Sequence, residues 1–298
     1  MISSFPKSPS IDLTVAVGFV DFWPGFDPYR NVFINSLSVY ANIIVHDNPD
    51  PETPPDILFY SCFEQFNKVF ICPKVQFLGE CIAPNPDSYS LSFFPTSGTN
   101  AYLPLWLTLF DWHNSRSKDL FPVPIFNQLS QDHNLTDNEF ETFELRLPRC
   151  AVIMNNPIKE RLALVERIQS IIPCDLFGRA FHNPFDPSDQ AKLSLLSRYK
   201  FHYCDENTIF PGYITEKLIH ACIAGCIPIY SHSSLKGSCL NPGRTINSAL
   251  DSTTIAAMVS DPHFRRELLS SKLIVGGLDG NYLVKSIAVA SFGSLRGF

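Results

Sequence analysis

The segment from residue 205 to residue 217 concentrates side chains that can bind a charged ligand. Its polar members are Asp205, Glu206, Asn207, Tyr213, Glu216 and Lys217. A helix is predicted to begin near Thr215, and the free N–H groups of a helix start favour an anion. Lys217 lies in the first turn, where the helix dipole prefers acids. This mismatch indicates an anionic ligand; the alternative is a solvated lysine paired with Glu216 or another acid.

A second candidate cation is Arg161, in the first turn of the helix predicted over residues 158–171. The guanidinium fork of arginine can bind a phosphate or carboxylate group with two parallel hydrogen bonds, and its charge persists at any physiological pH. The alternative is that Arg161 is one of several basic residues, with Lys159 and Arg167, on a solvated helix face.

The first half of the chain offers a carboxylate and an aromatic cluster. Glu80 follows the predicted strand "VQFLG", and a carboxylate at the carboxyl end of a strand can act as a general base. The alternative is an ordinary exposed loop glutamate. The aromatic residues Phe22, Trp23 and Phe26 are predicted either to form a ligand-binding surface or to fill the core.

These residues must be positioned by strands and helices that alternate in both halves of the chain. Short runs rich in β-branched and aromatic residues, bounded by Pro, Asp and Asn, predict strands. They are residues 13–20, 41–47, 56–62, 68–73 and 75–80, then 150–156, 174–178, 200–204 and 226–231. Helix-like segments separate them, and residues 102–114 read either as a helix or as a buried apolar segment.

The alternation predicts an α/β fold class with two Rossmann-like, doubly wound domains facing a cleft. The polar, irregular stretch from residue 115 to residue 148 is the best candidate for a boundary. We therefore expect one domain over residues 1–145 and a second over 146–298. Ligands of such sheets bind at the carboxyl ends of the strands.

Composition narrows the class of protein. The 298 residues carry a net charge of −6, which argues against a general nucleic-acid-binding protein. The nine cysteines include no CxxC pair and lie in apolar runs, which favours free thiols in a reducing compartment over a few disulfides in a secreted chain. No long apolar run or basic leader occurs. We expect a soluble, cytoplasmic protein without signal peptide or transmembrane segment.

The second half of the chain resembles the α1,3-fucosyltransferase family. The similarity is carried by "YKFHYCDENTIFPGYITEKLIHACIAGCIPIY", with Glu206-Asn207, the run from Tyr213 to Lys217 and a Pro-containing strand in the family's order. Upstream, "NNPIKERLALVERIQSI" is similar to the family segment whose arginine opens the first helix of the donor domain. "VQFLGE" and, more loosely, "VAVGFVDFWPGFD" resemble segments of the family's acceptor half. The resemblance covers residues 150–232 well and 13–95 loosely.

The resemblance implies a GT-B architecture, with residues 1–145 binding the acceptor and 146–298 the donor. It implies inverting transfer of fucose from GDP-fucose to a hydroxyl of a glycan, in α1,3 linkage, without a required metal or cofactor. Glu80 matches the family's proposed general base, while Arg161 and Lys217 would hold the diphosphate. The remaining implied donor-binding residues are Glu206, Asn207, Tyr213 and Glu216.

The sequence also departs from the family. The phenylalanine that precedes Glu-Asn in the family is Asp205 here, and the acceptor half is only weakly similar. Two alternatives therefore remain: a glycosyltransferase that uses another GDP-sugar, with a different pocket around Asp205 and residues 209–212, and a non-catalytic module that binds a glycan or a nucleotide.

Overall fold

The structure is a computed structural model that describes residues 12–113, 115, 120–186 and 188–297. The expectation of no signal peptide concerns, in part, residues 1–11, which lie outside the described residues. The chain forms two compact units. The N-terminal unit runs to Pro122 and includes the chain from Leu278 onward, and the second unit spans Val123–Gly277.

Strands and helices alternate along most of the chain. The strands are β1 (Thr14–Val20), β2 (Asn42–His46), β3 (Ile57–Tyr60), β4 (Lys74–Phe77), β5 (Tyr89–Ser92), β6 (Asn100–Tyr102), β7 (Phe110–Asp111), β8 (Phe121–Pro122), β9 (Leu147–Ile153), β10 (Cys174–Phe177), β11 (Tyr199–Tyr203), β12 (Ile227–Tyr230) and β13 (Ile246–Asn247). The α-helices are α1 (Val32–Leu37), α2 (Val123–Leu129), α3 (Asp137–Glu144), α4 (Lys159–Gln169), α5 (Asp189–Leu196), α6 (Glu216–Ile223), α7 (His232–Leu235), α8 (Ser252–Ser260), α9 (Pro262–Ser270) and α10 (Gly280–Gly297).

The N-terminal unit is built on a parallel sheet in the order β2-β1-β3-β4-β5-β6. β3, with the apolar sequence Ile-Leu-Phe-Tyr, is buried along its whole length, as expected of a central parallel strand covered on both faces. The direction of strand progression reverses between β1 and β3, so the topological switch point lies there.

The last helix of the chain, α10, packs on this same sheet, against β3 to β6, and against α1. Its buried face carries Leu283, Val284, Ile287 and Ala290. Gly293 lets the helix approach β5, because a Cβ there would lie 2.8 Å from the ring of Tyr89. The N-terminal core is therefore completed by residues from the far end of the sequence.

The second unit repeats the topology with a parallel sheet in the order β10-β9-β11-β12-β13. Its switch point lies between β9 and β11. The core beneath it joins apolar residues of β9, β11 and β12 to the inner faces of α4, α8 and α9. The predicted fold class, α/β with two doubly wound units of GT-B type, is confirmed.

Several predicted boundaries differ from the observed ones. Residues 68–73 do not form a strand; a 3₁₀ turn spans Phe66–Val69. The segment 102–114 is apolar and buried, with a 3₁₀ turn over Leu105–Leu109 and no α-helix in its described residues. The units also depart from the bounds 1–145 and 146–298, because α2 and α3 belong to the second unit and α10 to the first.

The described helices and the cysteines add two observations. Within the described part of the chain, no helix is both long and apolar enough to cross a membrane. All nine cysteines are free, and five of them, Cys72, Cys150, Cys204, Cys222 and Cys226, are buried. The cytoplasmic location itself stays a prediction.

Candidate active site

A cavity of about 200 Å³ opens in the second unit at the carboxyl ends of β9 and β11, the switch point of that sheet. Four of the predicted donor-binding residues line it. They are Arg161, Asn207, Glu216 and Lys217. The other lining residues are Ile153, Met154, Asn155, Asn156, Lys192, Leu196, His202, Cys204 and His220.

Arg161 lies on the buried face of α4, together with Val165 and Ile168. Its side chain is 4% exposed, and Nη1 donates a hydrogen bond of 2.8 Å to Oδ1 of Asn207. Its Nε is buried and has no hydrogen-bond partner among the described residues. The alternative of a solvated helix face is therefore wrong for Arg161: a charged donor group is held at the cavity with hydrogen-bonding capacity unused.

Lys217 is positioned by Glu206, which is itself buried. Nζ of Lys217 lies 2.7 Å from Oε2 of Glu206 and 3.9 Å from Oε1 of Glu216. Glu206 also accepts hydrogen bonds from the backbone N–H and the hydroxyl of Thr215, at 2.8 and 2.7 Å. Burial lowers the pKa of Lys217, but the two carboxylates outweigh burial and raise the pKa above its usual value. Lys217 is therefore a permanent cation, and Glu206 rather than Glu216 is its principal partner.

The loop after β9 approaches the end of β10 closely at Gly178. This residue has a φ of +101°, and a Cβ there would lie 2.3 Å from the carbonyl oxygen of Met154. The side chain of Asn155 accepts a hydrogen bond from the N–H of Arg179 at 3.1 Å. The glycine thus allows the loop carrying Asn155 and Asn156 to form one wall of the cavity.

The structure adds a third cation, Lys192 of α5, which the sequence did not single out. Its Nζ lies 3.2 Å from Oδ1 of Asp189. His220 and Lys192 lower the pKa of Asp189 to about 2, although burial opposes them. Burial also raises the pKa of Glu216, but Lys217 and Lys192 outweigh burial and lower it to about 2. The lining therefore holds three fixed positive charges and one carboxylate, so the cavity favours an anion.

The remaining predicted donor residues lie behind the wall of the cavity. Glu206 is 1% exposed and Tyr213 is 2% exposed, and the lining includes neither residue. The hydroxyl of Tyr230 donates to Oε1 of Glu206 at 3.2 Å, which completes the hydrogen bonding of that carboxylate. The geometry gives Glu206 a supporting position in place of the predicted contact with a ligand.

Asp205 is also buried away from the cavity. Its Oδ1 accepts a hydrogen bond of 2.5 Å from the N–H of Ser231, and the side chains of Ser248 and Tyr203 also act on the carboxylate. Burial raises the pKa of Asp205 to about 6. Asp205, which stands where the family has phenylalanine, is therefore a buried residue of the interior. This position differs from the expectation that its side chain helps to line a sugar pocket.

Glu80 lies in the N-terminal unit, three residues beyond the end of β4, and is exposed. Its backbone oxygen accepts a hydrogen bond from the N–H of Ile82 at 2.9 Å. Burial, and then the carboxylate of Glu80, raise the pKa of Cys81. The predicted base is therefore an accessible carboxylate at the carboxyl end of a strand.

The aromatic cluster of the N-terminal unit packs together and also borders a cavity. Phe22 and Phe26 stack with ring centroids 4.2 Å apart and pack on Phe19, while Trp23 is 40% exposed. All three residues line a cavity of about 580 Å³ at the carboxyl ends of β1 and β2. The buried carboxylate of Asp21 holds one rim by accepting hydrogen bonds from the N–H groups of Phe66 and Asn67, both at 2.9 Å.

Comparison with known proteins decides the family. The model of the glycosyltransferase family 10 (fucosyltransferase) C-terminal region matches residues 148–238, and that of the alpha-(1,3)-fucosyltransferase FucT N-terminal domain matches residues 17–110. This chain belongs to the α1,3-fucosyltransferase family. The C-terminal match contains the whole lining of the 200 Å³ cavity, and the N-terminal match contains Glu80 and the aromatic cavity.

Curated members of the fucosyltransferase family are distant in sequence. The alpha-(1,3)-fucosyltransferase FucT of Helicobacter pylori is 25% identical over 240 residues, 71% of this chain and 48% of that protein. The putative fucosyltransferase R654 of Acanthamoeba polyphaga mimivirus is 26% identical over 178 residues, 54% of this chain and 28% of that protein. The chain thus matches half or less of the length of these two relatives.

Solved structures of the same family share the fold. A crystal structure of an alpha1,3-fucosyltransferase with GDP matches with a TM-score of 0.70 at 20% identity, covering 99% of this chain and 96% of that one. The corresponding structure with GDP-fucose matches with a TM-score of 0.69 at 18% identity, covering 99% and 96%.

Proposed function

We propose that this member of the fucosyltransferase family transfers fucose from GDP-fucose to a hydroxyl of a glycan acceptor, with inversion and in α1,3 linkage. The observation that carries the proposal is the pairing of Arg161 and Lys217 in one cavity at the switch point of the second sheet. The related structures with GDP and with GDP-fucose support this choice of donor.

The cavity is matched to the diphosphate of the donor. Its volume of about 200 Å³ is smaller than the roughly 300–1,000 Å³ of sites that enclose a whole drug-sized ligand. Arg161, Lys192 and Lys217 would neutralise the phosphates, while Asn207 would orient Arg161 and Glu216 would accept hydrogen bonds from ribose hydroxyls. Negative charge grows on the β-phosphate as GDP leaves, and each cation stabilises it, by about 3–4 kcal/mol by analogy with an oxyanion-hole donor.

Glu80 would act as the general base that takes the proton of the acceptor hydroxyl. The hydroxyl oxygen then bonds to the anomeric carbon as the bond from that carbon to the β-phosphate oxygen breaks, through an oxocarbenium-like state. The 580 Å³ cavity with Trp23, Phe22 and Phe26 is the proposed acceptor subsite, because aromatic faces offer apolar area at small entropic cost.

The absence of a required metal is also part of the proposal. Three fixed cations can supply the charge that a divalent ion supplies elsewhere. Among the described residues, no group of three or more His, Cys, Asp or Glu side chains is placed to hold a metal ion. A transfer assay with and without a chelator tests this point, and loss of activity with the chelator would contradict it.

The donor is tested by a thermal-shift titration with GDP, GDP-fucose, GDP-mannose, UDP and ADP, with a chelator present. A ligand at 100 times its Kd adds about 2.7 kcal/mol of stability, enough to raise Tm by a few degrees. We expect GDP and GDP-fucose to raise Tm, and UDP and ADP to leave it unchanged.

The same titration separates the alternatives. A larger shift with GDP-mannose than with GDP-fucose would favour a different GDP-sugar. Binding of GDP-fucose without any transfer to a panel of glycan acceptors would favour a non-catalytic module. No shift with any of the five nucleotides would refute the proposed donor site.

A further inference from the structure

The Val123–Gly277 unit has a second cavity, of about 660 Å³. It lies at the amino ends of the strands, whereas the 200 Å³ donor cavity lies at their carboxyl ends. Its inner wall includes Arg146 and Gly225, which precede the amino ends of β9 and β12. The outer walls come from α2, α3 and the segment that follows α9. Nothing in the proposed transfer reaction uses this cavity.

Arg244 gives the cavity a buried, unused donor. Its side chain is 6% exposed, and its Nη1 is buried without a hydrogen-bond partner among the described residues. A buried donor without a partner costs free energy, so its presence in a folded protein calls for an explanation, and a bound ligand is one that the cavity allows. Arg244 belongs to the lining of the cavity, so a ligand that reaches this buried nitrogen would satisfy it.

Arg146 supplies a second guanidinium on the same wall. Its Nη1 donates to the backbone oxygen of Ala224 at 2.9 Å, and its Cζ lies 5.6 Å from the ring centroid of Phe143. These contacts fix the guanidinium plane while leaving further N–H groups unused. Within the described residues, no carboxylate lies within 4 Å of a guanidinium nitrogen of Arg146 or Arg244.

The carboxylate that does line the cavity is already engaged. Glu139 accepts hydrogen bonds from the N–H and the hydroxyl of Thr136, at 2.8 and 2.7 Å, in the capping box of α3, and lies 3.5 Å from Nε2 of His133. At the rim, Nζ of Lys272 lies 3.6 Å from the exposed carboxylate of Asp132. The inner wall therefore carries two positive charges that the fold does not neutralise.

The rest of the lining indicates the kind of molecule. Leu129, Phe143 and Leu273 provide apolar surface, and Gln128 and Gln131 add amide groups. The volume lies within the roughly 300–1,000 Å³ typical of small-molecule sites. Arginine forks match the planar oxygen pairs of carboxylate and phosphate groups.

We propose that this cavity is a second ligand site, in which Arg244 and Arg146 bind the phosphate or carboxylate group of a small organic molecule. The site is separate from the donor cavity, although α6 reaches both: Lys217 and His220 line the donor cavity, and Cys222 and Ile223 line this one.

Calorimetric titration of the full chain with inorganic pyrophosphate tests the proposal. We expect two classes of site in the wild type, one lost in Arg161→Gln and the other weakened at least tenfold in Arg244→Gln. Arg198→Gln, which removes an exposed arginine of the same unit, should change neither. A parallel titration with citrate shows whether carboxylates bind at the Arg244 site as well as phosphates.

Titration curves of Arg244→Gln identical to those of the wild type would overturn the proposal, as would a single class of site that disappears in Arg161→Gln. The melting temperature reports whether the second unit of each variant remains folded, and the GDP response does so for the Arg244, Arg146 and Arg198 variants. Should Arg244→Gln fail to fold, Arg146→Gln decides by the same criterion, because its side chain is less buried. Loss of the Arg244 site alone would stand even if the proposed donor site were wrong.

Discussion

Arg161 shows what a single residue on an apolar helix face can reveal. The sequence places it four positions before Val165 and seven before Ile168, so all three share one face of α4. The structure buries that face, whereas Lys159 remains exposed. The sequence left the solvated face open as an alternative for Arg161, and only the observed burial separates the cavity arginine from its exposed neighbour.

Arg161→Ala is expected to weaken GDP binding by roughly 10- to 100-fold, because hydrogen bonds to a charged group are worth about 1.5–3 kcal/mol. Calorimetric titration with GDP measures the change. Lys159→Ala, in the same turn of α4 but exposed, is the matched control and should bind GDP like the wild type. Equal GDP affinity in both variants would remove Arg161 from the donor site.

Glu80→Gln is expected to retain GDP affinity and to lose transfer by at least 100-fold, because the amide cannot accept the acceptor proton. The measurement is the rate of fucose transfer beside a GDP titration. Glu52→Gln replaces an exposed glutamate of the same unit and should transfer normally. Full activity of Glu80→Gln would end the role of Glu80 as base.

Asp205 predicts a pH dependence of stability. Its pKa in the folded state, about 6, exceeds the usual value of 3.8, so the folded state binds the proton more tightly than the unfolded state. The contribution of Asp205 to stability therefore falls as the pH rises from about 4 to about 6, by up to about 3 kcal/mol. Replacement by asparagine removes this dependence.

Denaturant unfolding of Asp205→Asn and the wild type at pH 4.5 and pH 7.5 checks the prediction. The stability of the variant relative to the wild type should rise between the two pH values. Asp87→Asn, at an exposed position, serves as the control. A constant difference between Asp205→Asn and the wild type would show that Asp205 does not titrate in this range.

At the scale of elements, the start of α6 is built around one buried carboxylate. The carboxylate of Glu206 accepts hydrogen bonds from the backbone N–H of Thr215, the residue before α6, and from the ammonium of Lys217. Its position at the positive end of the helix dipole favours its charge. The helix start and the cation of the donor cavity thus depend on the same side chain.

Glu206→Gln is expected to lower stability by about 3 kcal/mol, because it leaves the ammonium of Lys217 without its closest counter-charge. Burial would then lower the pKa of Lys217, so GDP affinity should begin to fall at a less alkaline pH than in the wild type. GDP titrations from pH 7 to pH 10 measure this shift. Glu160→Gln, on the exposed side of α4, is the control; a common pH profile would contradict the coupling.

The sequence predicts the strands that position the donor cavity better than it predicts the details of the lining. β9, β11 and β12 are short apolar runs with clear boundaries, and their order follows from the doubly wound topology. The sequence analysis missed Lys192 because this residue belongs to an ordinary polar helix pattern. Only tertiary packing brings it into the same cavity lining as Glu216 and His220. The burial of Glu206 and Tyr213 likewise depends on contacts across the chain, with Tyr230.

At the scale of the whole molecule, the unit boundaries follow packing rather than sequence order. The polar stretch near residue 145 suggested a single crossing between units, but α2 and α3 pack on the second unit, and Glu144 binds Arg265 and Lys200 there. The apolar face of α10 is short, and its partner sheet lies far away in sequence. No local pattern identifies that partner.

We expect residues 123–277 to fold alone in one cooperative transition and to bind GDP. Residues 146–298 should not, because they lack α2 and α3 and expose the apolar face of α10. Circular dichroism during thermal unfolding, with GDP titration, compares the two fragments. Cooperative unfolding and GDP binding by 146–298, but not by 123–277, would contradict these unit boundaries.

The return of α10 to the first sheet also sets an order of events during synthesis. Domains commonly fold from the N-terminus onward as the ribosome adds about 5–20 residues per second. Here the strands of the first sheet are translated roughly ten to thirty seconds, at that rate, before α10, the helix that covers them. The later unit has all of its own residues before then. We therefore expect the Val123–Gly277 unit to fold before the N-terminal unit is complete, and the apolar face of the first sheet to need chaperone protection until α10 has been translated.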